Sequence, residues 1–494
     1  MGLHSSLSGK TTPESFCARG QFPLKCVVRF SRNSQLSESP AKGMTSAERR
    51  TALGLAGVYG FRMLGLFLIL PVFALFAEDL PGATPLLTGL AVGIYGLTQA
   101  LLQIPFGLLS DRIGRKPVIF GGLLLFALGS VVAAMADDIV WIIIGRALQG
   151  SGAVAAAVMA LAADLTREDQ RTKVMASIGM TIGFSFMLAM IIGPAINGWV
   201  GMSGIFWLTA ILALVGIALV ALVVPTPSIS RVHRDAEPVP AMFGRVLRHG
   251  DLLRLDFGIF ALHLILTALF LAVPLALRDA GLPATEHTLV YLPVMLVSIL
   301  GMVPFVILAE KKKQMKPVFL GAVTVLGAVQ LALWQNDQGF WPLVIAIGVF
   351  FTAFNLLEAT LPSLVSKTAP ADAKGTAMGV YSTSQFAGAF VGGLVGGWVH
   401  QQWGSQAVFL FGALVALAWL LAAAGMRRPG RHASRLLQLQ VMSASQAELA
   451  AAGLREIRGV LEAVVVGDEG VAYLKIDRDS LDDADLEAFV AAQP

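Results

Sequence analysis

The sequence predicts an all-α membrane protein of twelve helices in two six-helix halves, followed by a small C-terminal α/β domain of ferredoxin-like order. Three observations predict it. Only 14% of the 494 residues are charged and 56% are hydrophobic, against roughly 25% charged in soluble domains. The apolar residues fall in continuous stretches of about 20, the length that crosses a bilayer as a helix. A short lysine motif and a glycine–tryptophan motif recur about 200 positions apart, marking an internal repeat. Lipid offers open backbone groups no partner, so the spans must be helices or a closed barrel. Continuous rather than alternating apolar runs exclude the barrel.

Residues 1–43 are Ser-rich, moderately basic and aperiodic, and read as a disordered extension. They hold both cysteines, Cys17 and Cys26, so no disulfide or metal framework is expected in the membrane body. Met1–Ser6 formally fits a myristoylation pattern, a short match of low specificity. Met44 reads as a natural start, with a transit-like leader as the alternative; an N-capped helical pattern begins there.

Spans are expected near 53–77, 86–109, 117–135, 139–163, 172–198 and 203–224, then 255–277, 288–309, 317–335, 341–364, 376–399 and 404–425. The N-terminal half covers 44–224, a linker 225–254, the C-terminal half 255–426, a second linker 427–435 and the soluble domain 436–494. Lys116-Pro117-Val118 recurs as Lys316-Pro317-Val318, and Gly193, Gly198 and Trp199 recur as Gly392, Gly397 and Trp398. Lysine and arginine flank one side of the spans, from Arg49 and Arg50 through Arg112, Arg115, Lys116 and Arg167 to Lys367, Lys374 and Arg427. The opposite loops carry Glu78, Asp79, Asp137, Asp138, Asp279, Glu286 and Asp337, with Arg278 the basic exception. By the positive-inside rule both termini are cytoplasmic. The net charge of +4 and pI near 9.1 therefore describe loops rather than a nucleic-acid surface.

In the tail, 436–442 alternates like a strand and 445–458 is helical, with Ser445 as cap and Glu448 three residues on. Strands over 460–466 and 471–478 flank Gly467-Asp468-Glu469-Gly470, and a helix over 480–492 closes a β-α-β-β-α order. The tail has no cysteine or histidine after position 435, which excludes thiolate metal transfer.

Charged and polar residues inside the spans carry the functional reading. Arg146 lies several residues within the fourth span, where a charge costs at least about 2.5 kcal/mol on insertion scales; Gln149 and Gly150 lie near its face. Arg62 sits near the middle of the first span. Both are expected to face a watery cavity, together with Tyr95, Gln99, Gln149, Tyr291, Asn355, Tyr381 and Gln385. Glu358 reads as the one acid well inside a span, and a buried carboxyl can change charge near physiological pH. Its alternative is a fixed ion pair with Arg62 or Arg146. His263 at the centre of the seventh span is a second proton carrier or, equally, a hydrogen-bonded core residue. Asp111, at the end of the second span, can meet the positive N-terminus of a neighbouring helix.

Gly107-Leu-Leu-Ser-Asp-Arg-Ile-Gly-Arg-Lys116 resembles G-x-x-x-D-R-x-G-R-K/R, the loop between the second and third helices of the major facilitator superfamily. Arg146-Ala-Leu-Gln-Gly150 resembles that family's R-x-x-Q-G signature. Gly183 followed by Gly193-Pro194-Ala-Ile-Asn197-Gly198 resembles its antiporter signature, departing at Asn197 where glycine is usual. The stretches 94–100, 104–117, 145–153, 374–386 and 472–477 are similar to YajR-type bacterial transporters. The resemblance runs from about Met44 to the end, and is weaker in the tail. It implies a latch of Gly107, Asp111, Arg112, Gly114, Arg115, Lys116 and Asp164 against the eleventh helix near Gly375. It also implies proton-driven transport, for which Glu358, His263 and Asp111 are the candidate coupling residues, and an antiporter motif of Gly183, Gly193, Pro194 and Gly198.

The expectation is a secondary transporter of the bacterial inner membrane. It would export small amphipathic molecules against protons by rocking of the two halves, as a monomer with no cofactor, no metal and no nucleic-acid partner. An importer or uniporter, or a sensor working through the tail, are the alternatives. An enzyme is not expected, because no nucleophile–base pair stands out.

Overall fold

The computed structural model describes residues 43–227, 238–312, 314–335, 339–427, 432–477 and 480–491. The N-terminal extension with Cys17 and Cys26, part of the linker and Asp337 lie outside those residues.

α1 (Ser46–Phe67) opens on a capping box, Thr45 Oγ1 accepting from Glu48 N–H and Glu48 Oε2 accepting from Thr45 N–H at 2.8 Å. The first predicted span is not one helix. It breaks over 68–72, around Pro71, before the short α2 (Phe73–Ala77), because proline supplies no N–H and disfavours helix just before it. α3 (Pro85–Ile113) runs to Gly114, whose φ of 98° turns the chain directly into α4 (Arg115–Ala134). Asp138 caps α5 (Ile139–Ser151). The fourth crossing resumes as α6 (Ala155–Asp164) after a non-helical Gly152. Spans five and six lie as expected on two helices, together α7 (Glu168–Leu222), separated by a sharp non-helical kink at Gly201, φ 67°.

The linker holds the short α8 (Phe243–Val246). α9 (Gly250–Asp279), α10 (Thr288–Glu310), α11 (Met315–Trp334), α12 (Phe340–Thr368), α13 (Lys374–Trp403) and α14 (Ser405–Ala424) follow. Among the described residues nine helical segments are long and apolar enough to cross a membrane. One of them, Lys173–Leu222, has 50 residues. Counting it twice, and adding the α1–α2 pair and the glycine-rich α13, gives twelve crossings.

The sequence repeat has a structural counterpart. Lys116 Nζ donates to the Val224 carbonyl at 2.6 Å, just past the end of α7. Lys316 Nζ donates to the Ala424 and Met426 carbonyls at 2.9 and 2.6 Å, at the end of α14. Each half thus uses its repeated lysine to satisfy the carbonyls that end its last helix, where a cation also meets the negative end of the dipole.

The halves meet mainly at the end that carries the acidic loops. α3 and α13 run backbone to backbone there through Gly89, Gly93, Gly96, Gly393 and Gly397; a Cβ on Gly93 would stand 2.7 Å from the Phe390 carbonyl oxygen. Leu86 N–H donates to Gln401 Oε1 at 3.2 Å, Thr288 Oγ1 donates to the Ile191 carbonyl at 2.9 Å, and Arg278 pairs with Glu78. Farther along α3, Gln103 Nε2 donates to Thr383 Oγ1 at 2.7 Å.

The tail folds as β1 (His432–Gln438), α15 (Ala444–Glu456), β2 (Val460–Val466), β3 (Val471–Asp477) and α16 (Asp483–Ala491). The sheet order is β1-β3-β2, antiparallel throughout, the order a ferredoxin-like chain takes without its last strand. The first strand begins earlier than expected, and the α15 cap is Ser443 with Gln446 rather than Ser445 with Glu448, since only Ser443 stands outside the helix with extended backbone. Leu454, Ala463, Ala472, Leu474 and Leu486 form the core. The domain docks on the connection between α12 and α13. Lys475 Nζ donates to the Thr368 and Ala369 carbonyls at 3.2 Å each. Arg245, from α8, bridges Asp372 and Glu462 at 2.9 Å each. Ala371 packs on Val466 and Tyr473.

Candidate functional site

Three polar groupings arise inside the bundle. The first lies within the N-terminal half. Arg146, 1% exposed, donates to Gln149 Oε1 at 2.8 Å and to the Ala91 and Val92 carbonyls at 3.3 and 3.4 Å. Gln149 Nε2 in turn donates to Ser130 Oγ at 2.8 Å. Arg62, also 1% exposed, donates to Gln99 Oε1 at 2.5 Å. The Tyr95 ring lies between the two guanidiniums, 5.0 Å from Arg146 and 5.7 Å from Arg62. The expectation that both arginines face an open cavity is therefore corrected. Helix breaks and glycines let neighbouring helices approach closely enough that an amide, two carbonyls and a ring face receive the Arg146 charge, whereas Arg62 is met by Gln99 and ring faces and its Nε and Nη1 keep no protein partner. Neither arginine is bonded to Glu358. Tyr95, Gln99 and Gln149 belong to this packed network and do not line open space; Tyr291 (0% exposed) and Tyr381 (3%) are likewise buried.

The second grouping lies in the C-terminal half and is partly buried. Gln385 on α13 donates to Glu358 Oε1 of α12 at 3.3 Å and lies 2.8 Å from His263 Nε2 of α9. His263 Nε2 and Glu358 Oε2 stand 3.9 Å apart. Glu358 Oε2 and His263 Nδ1 have no protein partner. Asn355, one turn from Glu358 on α12, donates to Ser298 Oγ at 3.0 Å. Glu358, His263, Gln385 and Asn355 are only partly buried, so these four are the predicted residues that border open space.

Beside them runs an aromatic band that single-sequence reading missed. Phe186 of the N-terminal half lies 6.0 and 5.8 Å from Phe351 and Phe354 of the C-terminal half, and Phe354 lies 6.0 Å from His263. Phe67 meets Phe186 edge-on at 5.1 Å. Phenylalanines are common in any apolar span, so only their meeting in space marks them. A second omission is Asp256. It sits one residue inside the predicted seventh span, but α9 starts at Gly250, which places the carboxyl about two turns inside the helix and 6% exposed. Glu358 is thus not the one acid within a span.

The third grouping is at the basic end. Arg115 Nε donates to Asp164 Oδ2 at 3.2 Å, and the same guanidinium pairs with Asp111 and donates to Ser110 Oγ at 2.9 Å. Asp111 bonds this arginine and not the start of α13; Thr376, next to the buried Gly375, is met by the linker, Val239 N–H donating to Thr376 Oγ1 at 2.9 Å. Arg112 is exposed, and Lys116 serves α7 as described. Gly107 faces α6, where a Cβ would stand 2.9 Å from Ala156 Cβ. Near this end, ahead of the first apolar run, Arg167 binds Glu48 at 2.9 Å. Burial works against ionisation of Glu48, but hydrogen bonds from Arg167 and Thr45 hold its carboxyl down at about 2.

The predicted antiporter residues are dispersed along α7. Gly193 packs on the broken first span, a Cβ there meeting the Leu68 carbonyl oxygen at 2.9 Å and Pro71 at 3.0 Å. Pro194 is buried; Gly198 borders Thr285 of the other half, and Gly183 has open space around it.

Comparison with known proteins bears on this arrangement. The family model described as Major Facilitator Superfamily matches residues 55–392 and, overlapping, 255–461. The inner membrane transport protein YajR of Escherichia coli (strain K12) is 50% identical over 434 residues, covering 88% of this chain and 95% of that protein. An uncharacterized transporter, BU466, of Buchnera aphidicola is 33% identical over 351 residues, 71% of this chain and 90% of its own. Among solved structures, a bacterial homolog of the human lysosomal transporter Spinster, inward-facing and occupied, superposes with a TM-score of 0.62. It is 14% identical and covers 78% of this chain and 98% of its own, a likeness of fold alone.

Proposed function

The chain belongs to the Major Facilitator Superfamily of membrane transporters, and on that premise we propose that it exchanges protons for small amphipathic molecules across the bacterial inner membrane, exporting them. The single observation that carries this reading is the partly buried Glu358–Gln385–His263 grouping beside the Phe186–Phe351–Phe354 band. A carboxyl with one oxygen free of protein partners can take and release a proton at the edge of a crevice. In this posture these rings are buried against one another; parted by rocking of the halves, they give an apolar ligand contacts present in one state and absent in the other. A ligand shifts the balance of two states only through unequal affinity for them, and a surface divided between halves provides that inequality.

In this reading Arg115 with Asp111 and Asp164 holds the basic end in one of its arrangements, both termini face the cytoplasm, and the working unit is a monomer. The antiporter-like Gly193-Pro194 segment supports exchange over import, because it packs one half's broken helix tightly against leakage.

The test uses the full chain in proteoliposomes with an internal pH dye, challenged with an amphipathic cationic dye and an amphipathic anionic dye. The wild-type protein should move at least one of them at the expense of an imposed pH gradient. Glu358→Gln should remove the dependence on the gradient while leaving dye binding. Equal gradient dependence in wild type and variant would remove Glu358 from the coupling step.

The docking of the tail on the α12–α13 connection favours one second reading, a sensor in which the tail modulates the membrane body. Deletion of 435–494 separates them: a transporter still moves dye, a sensor loses all output.

A further inference from the structure

We propose that Asp256 is a second proton-binding carboxyl of the C-terminal half, exchanging its proton with Glu358 by way of the Tyr381 hydroxyl. The inference rests on the reading that Glu358 carries a coupling proton, and adds the station that feeds it. Asp256 is 6% exposed, and neither carboxyl oxygen has a hydrogen-bond partner in the protein. Arg254, two residues earlier, is committed to Asp251 at 2.7 Å.

The helix register fixes its neighbours. α9 and α13 run in parallel, with Phe260 against Gly388, Leu264 against Gly392 and Ala268 against Gly396. That constant offset sets Asp256 level with Ser384, beside Gln385 and within a turn of Tyr381. On α9 itself, His263 lies seven residues on, about two turns up the same face. Tyr381 is 3% exposed, its hydroxyl has no partner, and it stands within electrostatic reach of both Asp256 and Glu358.

The groups nearest Asp256 are thus Tyr381 and Gln385 from α13 and the Trp419 indole beside Gly258 from α14, with Glu358 of α12 reached through Tyr381 and His263 two turns along the same helix. None of these supplies a fixed positive charge. Removing an ionised carboxylate from water without a partner costs several kcal/mol. A bound proton or a bound cation relieves that cost. Among the described residues no group of three or more acidic, His or Cys side chains is arranged to hold a metal ion, so the proton is the ligand the surroundings suit. In this posture the Tyr381 hydroxyl bonds neither carboxyl, so the transfer runs in a posture that closes those gaps: the Asp256 O–H bond breaks as its proton passes to the Tyr381 oxygen. The Tyr381 proton passes to Glu358 Oε2, which is free to accept it. One proton moves and no electron does.

Infrared difference spectroscopy of the full chain in lipid nanodiscs, stepped in pH, reads the carbonyl stretch of protonated carboxyls directly and needs no transported ligand. The wild-type protein should lose two buried carboxyl bands on alkalinisation. Asp256→Asn should lose one of the two, and Glu358→Gln the other. Tyr381→Phe should keep both bands but slow exchange between them after a pH jump. Should Asp256→Asn fail to fold, Asp256→Glu should keep two bands with one displaced. An Asp256→Asn spectrum equal to wild type, or an undisplaced Asp256→Glu spectrum, would overturn the proposal. An unaltered Glu358→Gln spectrum would instead strike the coupling assignment, whatever the Asp256 variants show.

Discussion

Glu48 is a residue whose charge the surroundings have chosen. Its folded-state carboxyl is held at about 2 against 4.5 for an ordinary glutamate. A group depressed on folding adds stability that is complete above its unfolded value and is lost as the pH falls through the folded one. Thermal unfolding in detergent should therefore weaken between about pH 4.5 and 2, and Glu48→Gln should flatten that part of the curve. At neutral pH the same variant should cost about 1–3 kcal/mol, the range for hydrogen bonds to a charged group. Some residue-scale features were legible in the sequence: Arg146, Glu358 and His263 stand out as polar groups in apolar runs. Their partners were not. Nothing local distinguishes an arginine that donates to the Ala91 and Val92 carbonyls from one that lines water, because those acceptors come from a helix some fifty positions away in sequence.

At the scale of elements, backbone contact and backbone conformation separate two kinds of glycine. Gly201 turns α7 with φ 67° and ψ −178°, a region nearly confined to glycine, and has open space about it, so Gly201→Ala should cost about 1–3 kcal/mol from strain alone. Gly93 has ordinary helical backbone but faces the Phe390 carbonyl. Gly93→Val should push α3 and α13 apart, costing about 1–3 kcal/mol as overpacking does. It should also lengthen the distance between spin labels placed at Leu80 and Trp403, while Gly201→Ala leaves it unchanged. Twelve apolar runs and their order were legible, since length and composition dominate that signal. The boundary between spans five and six was legible as well, Gly201 falling in the gap between them; the breaks at 68–72 and at Gly152 were not, because a bend within a span differs from continuous helix by only a few dihedrals. Lys116 illustrates the same limit: its recurrence at Lys316 was visible, its use as a carbonyl cap was not.

At the scale of the molecule, the soluble domain is tied to the membrane body by few groups. Burial lowers the affinity of the Lys475 ammonium for its proton, an effect Glu462 partly offsets, so the contact with the Thr368 and Ala369 carbonyls is a polar clasp of modest strength. Lys475→Ala combined with Arg245→Ala should free the domain. Limited proteolysis should then cleave between α14 and β1 at least several-fold faster, with the α9–α14 bundle still folded by tryptophan emission. Equal cleavage rates would show that the apolar contact at Ala371 is sufficient by itself. The tail's strand order was legible from alternation and its hairpin, whereas the docking depends on loop residues that carry no periodic signal.

The α3–α13 seam has one more consequence. Main chain lies against main chain there, with hydrogen atoms where side chains would interlock. Prising such a joint open disturbs no rotamers and wets little hydrocarbon, so the hinge itself resists weakly. Whichever posture the transporter rests in must then be set by the clasps that span the halves: Gln401, Glu78 and Thr288 at the acidic mouth, and Gln103 farther toward the other.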